Sequence, residues 1–141
     1  MFRTAMLLLT LVTVAFLCRA QAPSNNAAIV GQWTASLDGL PGVRLVIQEN
    51  DSRLTGAILF FLIHRDPGAP PSATAGFPEP LFDLKFDGVR LTFRVNHRFA
   101  HAPRTLADPP VSFHLEITGP DQANLFSPEI WPVPMTRVVH P

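Results

Sequence analysis

The chain has 141 residues, room for one domain, and its 47% apolar and 16% charged residues exclude disorder over most of the length. Eleven basic residues balance eleven acidic ones, so no global basic field is available to hold nucleic acid or an anionic membrane. One cysteine excludes a disulfide framework and a multi-cysteine metal cluster, and 15 prolines against 8 glycines disfavour long helices.

Residues 1–22 read as a secretory signal peptide with its signal helix. Arg3 supplies the positive start, Ala5 to Leu17 is apolar apart from Thr10 and Thr13, and Ala20-Gln21-Ala22 is an A-x-A cleavage site. The apolar run is too short to span a hydrocarbon core, which needs about 20 residues. An uncleaved anchor and a lipoprotein anchored through Cys18 are the alternatives. The lipoprotein wants a small residue before the cysteine, where Phe16 and Leu17 stand. Cleavage removes Arg3, Cys18 and Arg19. The remainder, 23–141, is then a single secreted or periplasmic domain with no cysteine, which excludes a thiol nucleophile and a thiolate metal site. No stable membrane span is expected after cleavage.

The period of the remaining chain is two, the signature of strands. Gly31, Trp33, Ala35 and Leu37 share one face, and Asp38-Gly39 with Pro41-Gly42 marks a turn. Val43, Leu45 and Ile47 alternate next, up to a turn at Asn50-Asp51-Ser52. Leu54 to Ile63 is apolar on both faces; its flanking turns and its β-branched and aromatic content favour strand over a short helix. Residues 64–80 carry five prolines and two glycines and read as one long loop. Phe82, Leu84 and Phe86 lead into Asp87-Gly88, the strongest short hairpin signal, answered by Val89, Leu91, Phe93 and Val95. A second proline-bearing loop spans 97–110. Val111, Phe113, Leu115 and Ile117 form the next strand, followed by a turn at 118–121 and a weak strand at 123–126. An irregular stretch at 127–132 precedes a last strand at 133–140. About eight short strands with regular turns suggest an antiparallel barrel, or else a β-sandwich.

Candidate chemistry is sparse. His97 and His101 have the i, i+4 spacing of paired metal ligands on a helix, but no helix is supported there and the H-E-x-x-H spacer is absent. No G-x-S-x-G elbow is present, and no two carboxylates are brought together by spacing. No catalytic residue, metal site or cofactor is indicated. Binding is the better-supported class. Phe60, Phe82 and Phe93 are strand phenylalanines that line a pocket if the barrel interior is open, and otherwise form core. Arg90 and Arg94, with Thr92 between them, would clamp a carboxylate or phosphate if that face lined the lumen; facing water, it is an ordinary solvent side. The candidate partners are a small apolar ligand in the barrel, or a protein or envelope component engaging the 64–80 loop. An open cavity lined by Phe60, Phe82 or Phe93 favours the first, and exposed Phe61 or Phe77 over a filled interior favours the second.

Val30-Gly31-Gln32-Trp33 resembles the G-x-W opening of lipocalin-like (calycin) barrels, where the tryptophan plugs the closed end. The chain is also similar to a group of small secreted bacterial domains, through Ile29 to Leu37, Arg44 to Ile47, Leu54 to Gly56 and Phe86 to Phe93. The resemblance implies an eight-stranded antiparallel barrel and ligand binding within it. It further implies that an arginine near the chain end packs across the first-strand tryptophan, and Arg137 is the residue placed to do so. The competing expectation leaves Arg137 in solvent on an edge strand.

Overall fold

Alternating apolar residues can bury one face only if the strands carrying them close on a common interior. The computed structural model, which describes residues 25–96, 109–128 and 130–139, shows how they do so. After a 3₁₀ turn at Asn25–Ala28 come β1 (Gly31–Leu37), β2 (Leu40–Asn50), β3 (Arg53–His64), β4 (Ser72–Ala75) and β5 (Glu79–Pro80). The chain continues through β6 (Phe82–Phe86), β7 (Arg90–Val95), β8 (Val111–Gly119), β9 (Gln122–Ser127) and β10 (Ile130–Arg137). The fold is all-β and antiparallel, one curled sheet in the order β4-β3-β2-β1-β10-β9-β8-β7-β6. One continuous ladder makes the fold barrel-like, not two stacked sheets. The signal segment lies outside the described residues.

A short stretch links the two ends of this sheet. Glu79 and Pro80 pair with Ile58 and Ala57 of β3, and the Leu81 N–H donates to the Gly56 carbonyl at 3.0 Å. The next residues, from Phe82 on, pair with β7. Gly56 makes the approach possible, because a methyl there would run into the Val46 carbonyl and the Leu81 side chain.

Turn chemistry follows the backbone angles. Asp38 and Gly39, both at positive φ, form a two-residue loop between the paired Leu37 and Leu40. Asp51 and Ser52, also at positive φ, do the same between Asn50 and Arg53. Pro41-Gly42 is not part of a turn. It lies inside β2, where the register skips Gly42 between the Ala35–Val43 and Ser36–Pro41 pairs, a bulge. Asp87-Gly88 opens a longer turn in which the Asp87 carboxylate accepts the N–H groups of Val89 and Arg90. Val89 is thereby taken out of the inward series and stands 58% exposed.

The interior is one apolar cluster. Trp33, Leu45, Ile58, Leu91, Val95 and Leu115 are completely buried, and Phe93, Phe113 and Met135 nearly so. Each occupies an inward position of its strand, as the burial alternation of β7 illustrates. The 64–80 stretch is not one loop. β3 runs on to His64, β4 folds back on it through the Phe61–Ala75 to His64–Ser72 pairs, and β5 follows. Likewise β10 begins at Ile130, inside the stretch expected to be irregular, and it ends at Arg137.

Candidate functional site

The barrel has two unlike ends. At one, the 3₁₀ turn crosses beneath the core, and Trp33 donates its indole N–H to the Ile29 carbonyl at 2.9 Å. Gly31 opens β1 at a φ of 137°, a conformation that disfavours side chains. Arg137 lies directly across from Trp33 in the β1–β10 register, with its guanidinium carbon 4.6 Å from the ring centroid. The same guanidinium donates to the Ala28 and Val30 carbonyls, and its Nε lies 3.6 Å from the Asp121 carboxylate. This end is closed. The closure joins first strand to last, and the expected pair is in place.

At the other end, β1, β3 and β9 finish and β2, β8 and β10 begin. Their inward side chains leave an apolar pocket of about 220 Å³, walled by Ala35, Val43, Phe60, Phe113, Leu125 and Val133. Phe60 contacts Phe113 with centroids 6.0 Å apart, and Phe113 stacks on Phe93 at 5.6 Å. Strand direction also brings Leu37, Leu62 and Trp131 to this end, where each is exposed, Trp131 by 89%.

Of the candidate ligand residues, the structure puts Phe60 in the pocket wall and Phe93 behind it, buried at 1% exposure. Phe82 does not join them. A register shift after it, with Asp83 at a φ of 55°, leaves Phe82 opposite Arg94, whose guanidinium lies 5.8 Å from its ring. Arg90 and Arg94 occupy the outer face of β7, not the lumen. Arg90 pairs with Glu116 and Arg94 with Asp83, each at 3.1 Å. The reason is parity: Leu91, Phe93 and Val95 take the inward positions, so the even-numbered residues must face out.

His64 shares a hydrogen bond with Thr74 at 3.1 Å across the β3–β4 hairpin. His114 is stacked on Phe126, centroids 4.6 Å apart, on the outer face of β8 and β9. Burial holds the His114 imidazole below the ordinary histidine range; Arg90 adds to the depression and Glu116 opposes it. His97 and His101 lie outside the described residues. Among the described residues no three His, Cys, Asp or Glu side chains come together, and no helix is long and apolar enough to cross a membrane.

Sequence reasoning singled out neither Val43, Leu125 and Val133 nor Phe113 as pocket residues. Their signal was available in part: each is an inward position next to a strand end, where a barrel opens. No family model matches the chain, no curated protein matches it, and no solved structure matches it.

Proposed function

We propose that this is a secreted, lipocalin-like binding protein that holds a small apolar ligand at the open end of the barrel. The observation that carries the proposal is the pocket beside Phe60, apolar on nearly every side. Its volume narrows the ligand. A dry cavity of about 150 Å³ already accepts a benzene ring, whereas drug-sized ligands need roughly 300–1,000 Å³. At about 220 Å³ this pocket suits one ring or a short alkyl chain, or the apolar end of a longer molecule.

The test is titration with p-xylene, read by amide chemical shifts and melting temperature. Shifts at Ala35, Val43 and Val133 with a rise in Tm are expected, because a ligand that binds only the folded state stabilises it. Val133→Phe fills the pocket and should remove the response, while Phe82→Ala should keep it. No response in the unsubstituted protein would refute the reading.

A second reading is favoured by Phe77, which follows β4 and is 89% exposed. A large apolar side chain standing in water next to the edge strand β4 suits a protein or envelope contact at residues 64–80. Phe77→Ser should then abolish co-sedimentation with an envelope fraction without altering p-xylene binding.

A further inference from the structure

The outer face of β6 to β9 carries a second depression, a groove of about 810 Å³. That size falls within the roughly 300–1,000 Å³ of small-molecule sites. It shares Phe113, Phe126 and Ser127 with the mouth pocket but has charged walls. The register explains its shape. Lys85 pairs with Thr92, Thr92 with His114, and His114 with Phe126, so these four side chains form one row across four strands.

Within that row the two rings lie 4.6 Å apart with their planes 10° from parallel. Rings this close and this parallel must be face to face, since edge-to-edge contact would hold the centroids farther apart. One face of His114 is therefore covered by Phe126 on the β9 side, and the other is turned toward β7. There the row holds only the short Thr92, then Lys85. The result is a slot one residue wide, with an aromatic wall, a hydroxyl floor and an ammonium on the far side.

The charge of the groove is uneven. Arg94, one pair along β7, is balanced by Asp83 at 3.1 Å, with both side chains near half exposure. Arg90, one pair along in the other direction, is balanced by Glu116. Lys85 forms no ion pair among the described residues. Lys85, Arg94 and Asp83 together leave one uncompensated positive charge beside the slot.

We propose that this groove binds a planar organic anion, with its ring in the slot against His114 and its carboxylate on Lys85 and Arg94. Neither feature alone selects that class. The slot admits any flat ring and the ammonium any anion, but their spacing in one row requires both in one molecule. Ser112, which pairs with Arg94, supplies a hydroxyl at the floor, and the Thr92 hydroxyl, which donates to the Lys85 carbonyl at 3.4 Å, can still accept a hydrogen bond. Lys85, Thr92, Arg94 and His114, on which the proposal rests, do not line the mouth pocket, so the two proposals fail separately.

The experiment titrates the whole chain with 2-naphthoate, its neutral amide 2-naphthamide and the non-planar cyclohexanecarboxylate, followed by amide shifts. Saturable shifts centred on Thr92, Ser112 and His114 are expected for 2-naphthoate. The amide should bind about ten-fold more weakly, the worth of one charge-assisted contact, and the non-planar acid, which keeps the charge but has no flat ring to stack on His114, should also bind more weakly. Lys85→Gln should weaken 2-naphthoate by a similar factor and leave the amide unchanged, and His114→Ala should weaken both aromatic probes. These outward-facing substitutions are checked for an unchanged Tm. Equal affinity for acid and amide, indifference to Lys85→Gln, or shifts centred on Ala35, Val43 and Val133 would each overturn the proposal.

Discussion

The Arg137 guanidinium lies over the Trp33 indole at 4.6 Å, in strands whose members are 104 positions apart in the chain (33 and 137). Trp33 is wholly buried, and the Arg137 side chain is only 19% exposed, so the contact is largely removed from water. A double-mutant cycle between Trp33→Phe and Arg137→Met, read by denaturant unfolding, should give a coupling of about 0.5–2 kcal/mol. A coupling indistinguishable from zero would show that register alone, without the cation–π contact, joins these strands.

Gly56 is a second point of closure. Adding a methyl forces β2 and the Leu81 side chain apart just where β5 and β6 meet the sheet. Gly56→Ala should cost about 1–3 kcal/mol, the usual range for overpacking. Hydrogen exchange offers the sharper readout. The Leu81 amide, bonded to the Gly56 carbonyl, should lose protection before the amides of β8 do. Uniform loss would mean that the closure and the rest of the barrel open together.

The β2–β3 turn holds two non-glycine residues at positive φ, Asp51 at 49° and Ser52 at 62°. A left-handed conformation costs an L-residue roughly 1–2 kcal/mol, and glycine returns part of that gain as unfolded-chain entropy. Ser52→Gly should raise stability by about 0.5 kcal/mol, moving the denaturation midpoint upward with an unchanged slope. A lower midpoint would count against strain at this turn.

His114 makes stability depend on pH. Its folded-state pKa lies below the ordinary value of 6.5, chiefly through burial and then through Arg90. As pH falls through that value the unfolded chain takes up the proton first, so the folded state loses stability. The contribution is fully present above the unfolded pKa. Unfolding midpoints at about pH 8 and about pH 5 should differ less in His114→Gln than in the parent. An equal or larger difference in the variant would remove His114 as the cause.

Most strands were legible because their burial is one-sided and alternation records it directly, as at Trp33 and Ala35 or at Leu91, Phe93 and Val95. β4 was hidden for a physical reason. Ser72 to Ala75 has no side chain larger than threonine, and it is a strand only because β3 extends past Val43, the first β2 residue it pairs with at that end. Which Asp-Gly pair makes a two-residue turn was equally hard to read, since loop length depends on the register of both flanking strands. Arg137 was found by resemblance, not by pattern. The groove was out of reach, because Lys85, Thr92, His114 and Phe126 become neighbours only once four strands are aligned.

The brace of Arg137 on Ala28 and Val30 also sets the polarity of the molecule. Both ends of the described chain leave from this pole, Asn25 beside Gly88 and Val138 bonded to the Gln32 carbonyl. The pocket opens at the opposite pole. Asn25 and Val138 are therefore points of attachment at the sealed base, at the pole opposite Trp131, Leu62 and the Phe60 wall.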